Sequence, residues 1–185
     1  PGIDRRVGLW QHFAHQDIEV MGDIELVFRN THKPIIAVTG TNGKSTTVSM
    51  ITLGLELAGK KAFLGGNWGV AATKVLWDQQ YHDIDWIVLE ISSFQLELVH
   101  KFSPRIAVIL NISESHMERY DQFEDYAKAK FKIFSHGDLQ NDVVILPKKQ
   151  HELYFPHLTH ISRKTFFYDK ADLQYFDFSK AKVLG

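Results

Sequence analysis

The chain has 185 residues, 44% of them hydrophobic and 23% charged, with 21 basic against 22 acidic side chains and no cysteine. That is the composition of one folded domain, or one domain plus a fragment of another. It excludes a disordered chain, an overall basic field for nucleic acid, disulfides, thiolate zinc sites and a cysteine nucleophile. No apolar run nears the ~18 residues of a membrane span, and Pro1-Gly2-Ile3-Asp4-Arg5-Arg6 does not read as a signal peptide, so a soluble, cytoplasmic setting without a membrane partner is expected.

In chain order, residues 6–15 are expected as a helix, Ile18-Glu19-Val20 as a short strand and residues 23–29 as a second helix, with His32-Lys33-Pro34 as a junction into the main sheet. Apolar runs then alternate with helical stretches. Ile35-Ile36-Ala37-Val38, Ala62-Phe63-Leu64, Trp86-Ile87-Val88-Leu89, Ile106-Ala107-Val108-Ile109-Leu110 and Val143-Val144-Ile145-Leu146 lack polar alternation, as strands covered on both faces do. Between them, residues 45–58 put Val48, Ile51, Leu55 and Ala58 on one stripe, with Gly59 suited to the C′ position. Residues 68–77 read as another helix. Residues 121–134 read as a third, with Asp121 as N-cap and Gly137 near its end. This order predicts an α/β fold: a doubly wound, mostly parallel sheet. Residues 150–185 are rich in aromatics (Tyr154, Phe155, Phe166, Phe167, Tyr168, Tyr175, Phe176, Phe178). With no basic stripe beside them, they are expected as short strands or loops packed on a sheet edge, not as a base-stacking platform.

The sharpest motif is Thr39-Gly40-Thr41-Asn42-Gly43-Lys44-Ser45-Thr46, placed after a buried strand and opening a helix. Glycines let the backbone turn tightly and aim N–H groups at an anion, and the helix N-terminus adds partial positive charge. Lys44 can reach the β and γ phosphates of a nucleotide, and the Ser45 hydroxyl can ligand Mg²⁺. The strict pattern G-x-x-x-x-G-K-[ST] is not met, because Val38 stands where its first glycine would fall.

Ligands of doubly wound sheets sit outside the carboxyl ends of the strands. At those ends the sequence places the phosphate loop, Gly65-Gly66-Asn67, Glu90-Ile91-Ser92-Ser93, and Asn111-Ile112-Ser113-Glu114-Ser115-His116. Glu90, ending an apolar strand, needs a bound cation, a salt bridge or a cap role to offset burial. His116 is a candidate metal ligand or phosphate donor, or a surface histidine. Asn67 either closes on a substrate's polar group or occupies a turn. On the third helix Lys130 borders the apolar stripe of Phe123, Ala127, Phe131 and Phe134. Lys128 and Lys132 point away from it, since two residues turn a helix by about 200°. Lys130 is then either a buried amine with a lowered pKa or a snorkelling stem at the rim.

Together these residues resemble the Mur ligases. Gly40-Thr41-Asn42-Gly43-Lys44-Ser45-Thr46 is similar to that family's ATP loop, which accounts for the missing first glycine. Gly65-Gly66-Asn67-Trp68-Gly69, Leu89-Glu90-Ile91-Ser92-Ser93-Phe94-Gln95-Leu96-Glu97 and Leu110-Asn111-Ile112-Ser113-Glu114-Ser115-His116-Met117-Glu118-Arg119-Tyr120 resemble the branch that adds D-glutamate. The Ser-Ser-Phe-Gln-Leu-Glu string separates it from the folylpolyglutamate synthetases. The likeness covers about residues 1–146 and is loose beyond.

The resemblance implies an ATP-dependent amide ligase of peptidoglycan precursor synthesis. Such an enzyme phosphorylates the carboxylate of UDP-N-acetylmuramoyl-L-alanine, and the amine of D-glutamate attacks the acyl phosphate. It implies Lys44 on the phosphates, Ser45 and Glu90 on one Mg²⁺, and His116 on a second. Lys130, in Tyr126-Ala127-Lys128-Ala129-Lys130, would carry a carbamate as a further metal ligand, and Asn67 and Ser92 would contact the muramoyl-alanine substrate. Lys44, His116 and Lys130 would be the catalytic residues. A monomer is expected. Residues 1–20 would be the end of a UDP-binding N-terminal domain. Residues 21–185 would be a central ATP-binding domain incomplete at its C-terminal end, with a third domain outside the chain. By itself this stretch is expected to bind nucleotide weakly and not to ligate. Competing readings are a non-catalytic nucleotide-binding module, another ligase of the Mur or folylpolyglutamate type, and a small-molecule kinase, which would need an arginine-bearing lid that is not evident.

Overall fold

The computed structural model describes residues 18–136, 142–149 and 164–169, with Gly8, His12 and Phe13 besides. The helix expected over residues 6–15 otherwise lies outside the described residues, as do Gly137 and the aromatics Tyr154, Phe155, Tyr175, Phe176 and Phe178. Helix α1 (Asp23–Asn30) leads into β1 (Ile35–Thr39), and α2 (Lys44–Leu57) into β2 (Ala62–Gly66). Then come α3 (Lys74–Trp77), β3 (Trp86–Glu90), α4 (Ser93–Leu96), β4 (Ile106–Ile109), α5 (Phe123–Phe131), β5 (Val143–Pro147) and β6 (Lys164–Tyr168).

The six strands form one sheet in the order β2-β3-β1-β4-β5-β6, and every pairing is parallel. Because β1 pairs with β3 on one side and β4 on the other, the chain winds away from it in both directions. The C-terminal ends of these strands therefore border the crevice where such folds bind ligands. The pleat sends alternate residues to opposite faces. Ile35, Ala37, Ile87, Leu89, Ala107 and Ile109 join the larger core with α1, α4 and α5, while Ile36, Val38, Val88 and Val108 meet Val48, Ile51 and Leu55 of α2. Full burial belongs to the central strands; in β2 and β5 alternate residues stay half-buried. On α2, Ala58 leaves the expected apolar stripe as an exposed C-cap residue. Gly59 N–H donates to Glu56 O at 2.9 Å and Lys60 N–H to Leu55 O at 2.9 Å, the Schellman ending that stops the helix.

Other expectations are corrected. Residues 18–20 form no strand. Only Lys74–Trp77 of the helix expected over 68–77 is α-helical, because Gly66 and Gly69 take φ of 112° and 81° and Val70 bridges back to Gly65. Helix α5 is N-capped at Gln122, without a side-chain cap bond, and not at Asp121. It tightens to a 3₁₀ turn over Lys132–Phe134. That turn draws Lys132 inward until its Nζ donates to Glu97 O at 3.3 Å, so it does not face solvent as its spacing suggested. Of the aromatic tail, β6 is an edge strand. Its Tyr168 hydroxyl donates to Ile109 O at 3.3 Å and also to Leu110 O, while Phe166 and Phe167 remain exposed.

An unforeseen anchor holds α1. Glu25, fully buried, accepts backbone N–H bonds from His100 (2.9 Å), Lys101 (3.0 Å) and Phe102 (3.0 Å), and Arg29 Nε donates to it at 2.7 Å. Burial pushes this carboxyl's pKa up. The N–H groups and Arg29 outweigh that and hold it below the usual carboxylate value.

Gly66 shows how little room the sheet edge leaves. A Cβ there would lie 2.2 Å from Glu90 O, on a backbone with φ of 112°. Gly66→Ala is expected to lower unfolding free energy by about 2–4 kcal/mol from overpacking and left-handed strain. Gly54→Ala, mid-helix with nothing within 4 Å of the added methyl, should raise it by about 0.5–1 kcal/mol. Urea denaturation of both variants checks the pair.

Candidate active site

The phosphate loop joins β1 to α2. Gly40 is needed for close approach: a Cβ there would sit 3.1 Å from Leu110 Cβ and 3.3 Å from Asn111 N. Gly43 precedes the helix in left-handed conformation, φ 82°, with no side-chain cap, so the first turn's N–H groups face outward as an anion cradle. Asn111 grips the loop. Its carbonyl accepts from Thr41 N (2.9 Å), its Oδ1 from Asn42 N (2.8 Å), and its Nδ2 donates to Asn42 O (3.0 Å). Lys44 folds back across the loop, its Nζ 3.0 Å from Thr41 O. Thr46 is exposed on the first helical turn.

At the next strand end Glu90 is 2% exposed. Ser45 Oγ donates to its Oε2 at 2.6 Å and Asn67 Nδ2 to its Oε1 at 2.8 Å. Asn67 N–H also donates to Glu90 O at 2.8 Å, so Asn67 both sits in a turn and holds this carboxylate. Ser92 N-caps α4 in a capping box: its Oγ accepts from Gln95 N (3.3 Å), and Ser92 N–H donates to Gln95 Oε1 (3.1 Å).

Lys130 is 2% exposed. Its Nζ donates to Gly40 O at 3.0 Å and lies 4.6 Å from the Tyr126 ring centroid. The buried alternative therefore holds over the snorkelling one. Burial, with Lys44 as a secondary cationic neighbour, brings its pKa down to about 7. His116 has left-handed backbone, φ 59°, a strained state for a residue with a Cβ. Its side chain is 47% exposed, with Nδ1 3.3 Å from Glu118 Oε1.

Gly40, Thr41, Lys44, Asn67, Ser92, His116 and Lys130 all line one cavity of about 160 Å³, with Ser93, Phe94 and Tyr126. Ser45 and Glu90 stand beside it through Lys44 and Asn67. The sequence reading missed Tyr126, whose hydroxyl lies 3.1 Å from Thr41 Oγ1, although it sits four residues before Lys130 and so on the same helix face. It also missed Phe94, and it took Asn111 only as part of a strand end. Hard-oxygen donors at Ser45 and Glu90, facing a loop with a lysine, suit Mg²⁺. Among the described residues no three His, Asp or Glu side chains cluster as a metal cage.

A glycine loop on a helix N-terminus, at the switch point of a parallel sheet, defines a nucleotide-phosphate-binding α/β domain. The chain belongs to the Mur ligase family, whose middle domain matches residues 38–181. It is 51% identical over 137 residues to UDP-N-acetylmuramoylalanine--D-glutamate ligase of Pasteurella multocida, covering 74% of this chain and 31% of that protein. It is 37% identical over 171 residues to the ligase of the same name from Vibrio cholerae, covering 92% and 37%. The chain thus spans about a third of the length of the curated relatives it matches. The fold is similar to that of MurF ligase from Thermotoga maritima in complex with ADP (TM-score 0.58, 21% identity, 78% of this chain and 34% of that one). It is also similar to E. coli FolC in complex with DHPP and ADP (TM-score 0.53, 14% identity, 89% and 52%).

The Lys130 shift has a measurable consequence. Between pH 7 and the ordinary lysine value of 10.5 the unfolded chain keeps a proton that the folded one has lost. The penalty for burying this amine is therefore full below about pH 7 and fades as the pH rises to 10.5, so this group makes stability increase with pH across that window. Lys130→Met should be more stable than the parent near pH 7 and lack that part of the slope. Urea midpoints of both proteins at a series of pH values test it.

Proposed function

We propose that the intact protein carrying this chain joins D-glutamate to UDP-N-acetylmuramoyl-L-alanine at the expense of ATP, through an acyl phosphate. The carrying observation is the single cavity over the phosphate loop onto which Lys44, Asn67, Ser92, His116 and Lys130 converge. Identity to named D-glutamate ligases supports the choice of substrates. Residues 21–185 are read as a central ATP-binding domain and residues 1–20 as the end of a preceding one. The protein acts as a cytoplasmic monomer with neither membrane nor nucleic-acid partner, the near-balanced charge supporting the last point.

Phosphoryl transfer and the acyl transfer that follows depend mainly on positioning and charge neutralisation. Lys44, released from Thr41 O, places its ammonium on the β and γ phosphates. The loop N–H groups fix those phosphates, and Asn111 keeps the loop in shape. Ser45 and Glu90 are the residues that would hold Mg²⁺, with His116 and a carbamylated Lys130 for a second ion. Bound magnesium supplies positive charge to the transferring phosphoryl group. Lys130 is suited to carbamylation because its amine is substantially neutral near pH 7, and because Gly40 O aims Nζ toward the loop. Asn67 and Ser92 face the cavity where the muramoyl-alanine carboxylate must lie.

Two measurements test this. ADP and phosphate release by the intact protein should require both UDP-N-acetylmuramoyl-L-alanine and D-glutamate. Lys44→Ala and Glu90→Gln should each lower kcat/KM by about 100-fold or more. Equal turnover with another amino acid, or without an acceptor, contradicts the assignment. Mass spectrometry should find one CO₂ on Lys130 that is lost in acid; an unmodified lysine in the Mg-nucleotide complex contradicts the carbamate.

A further inference from the structure

His116 is the only non-glycine residue with positive φ among the described residues. Such a conformation persists only where its surroundings over-determine it. The turn that follows supplies the first restraint: His116 O accepts from Arg119 N (2.9 Å) and Tyr120 N (3.3 Å). The side chains of those same two residues then converge on one carboxylate. Arg119 Nη2 donates to Glu97 Oε2 at 2.8 Å, and Tyr120 OH donates to Glu97 Oε1 at 2.6 Å. The Arg119 and Glu97 side chains are only 11% and 12% exposed. A desolvated ion pair needs such extra hydrogen bonds to be fixed in place.

Glu97 directly follows α4, the turn that presents Phe94. The Phe94 ring meets the Arg119 guanidinium at 4.1 Å, the His116 imidazole edge-on at 4.9 Å and the Tyr120 ring at 6.1 Å. Phe94 and His116 line the cavity; Glu97, Arg119 and Tyr120 do not. The exposed Glu118 reaches His116 Nδ1 from the solvent side, a weaker restraint. We propose that Glu97 is a positioning residue whose carboxylate, by clamping Arg119 and Tyr120, locks the strained 116–120 turn and fixes the His116 imidazole against Phe94 at the cavity wall. The Ser92–Glu97 segment and the 111–120 loop then act as one rigid unit.

The kinetic side of this inference rests on the ligase reading; the structural side does not. In NMR spectra of the nucleotide-free intact protein, the His116 ring protons, assigned with His116→Gln, should carry the ring-current shift of Phe94. In Glu97→Gln they should move toward the positions of an exposed histidine, while those of His32 and His82 stay put. With substrates, Glu97→Gln should lower kcat by about 10–100-fold, the range typical for residues that orient a functional group. KM for ATP should change less than about twofold, because the Lys44 loop is untouched, and Arg119→Lys should keep part of the rate. If Glu97→Gln does not fold, Tyr120→Phe, which removes the hydroxyl that bonds Glu97 and Ser93, should still shift the His116 signals. Unmoved His116 resonances in the folded variants, or an unchanged kcat, overturn the proposal. Absence of turnover in the parent protein would count against the ligase reading and leave the spectroscopic test standing.

Discussion

A carboxylate buried at the end of a β-strand cannot stand alone, and Glu90 is the point on which this site depends. Left unpaired, it would carry a desolvation penalty of several kcal/mol. Ser45 and Asn67 relieve it, and they come from the helix after the phosphate loop and from the loop after β2. One electrostatic requirement thus ties three strand ends together. Gly66 backs directly onto the Glu90 carbonyl, which is why the β2 edge must be glycine for the Asn67 amide to reach the carboxylate. The Glu90 carboxylate and the Ser45 hydroxyl are hard oxygen ligands 2.6 Å apart, so the contact that stabilises the fold also marks where a hard cation would be held.

Around that junction the other groups are held by rigid elements and not by chance proximity. Asn111 fastens the loop to the end of β4. Tyr168 fastens Leu110, the residue before Asn111, to the edge strand. Lys130 reaches Gly40 from the opposite layer, through a core that also buries Tyr126. Its lowered pKa follows from that placement: a helix that packs its amine under the loop must give up part of the amine's charge. Glu25 does comparable work at the far side of the α4 segment, where its carboxylate gathers the backbone N–H groups of residues 100–102.

Much of this was legible in the sequence because strand ends are marked by a change of chemistry. An apolar run that stops at Gly40, Gly65, Glu90 or Asn111 locates one edge of a parallel sheet, and the loop residues fall there together. Helix geometry brought Lys130 to the border of the buried face but left a buried amine and a snorkelling stem open, and only its bond to Gly40 O decides between them. What failed to show depends on tertiary partners. The helix expected from residue 68 shrank because Val70 pairs with Gly65, a contact between a loop and a strand that no periodicity reveals. Asp121 reads as a cap, yet α5 is capped one residue later, at Gln122, without a side-chain bond. Glu25 looks like the polar side of an amphipathic helix until residues 100–102 arrive above it. Tyr126 and Phe94 pass for ordinary core aromatics, and only the cavity shows what they face.

The most direct test of this account is a crystal structure of the intact protein with Mg²⁺ and a non-hydrolysable ATP analogue. The account predicts the phosphates in the cradle of residues 40–46, Lys44 turned from Thr41 O onto them, and the ion between Ser45 and Glu90, with their mutual hydrogen bond opened. Phosphates bound elsewhere, or a Ser45–Glu90 bond left closed beside a bound nucleotide, would contradict it.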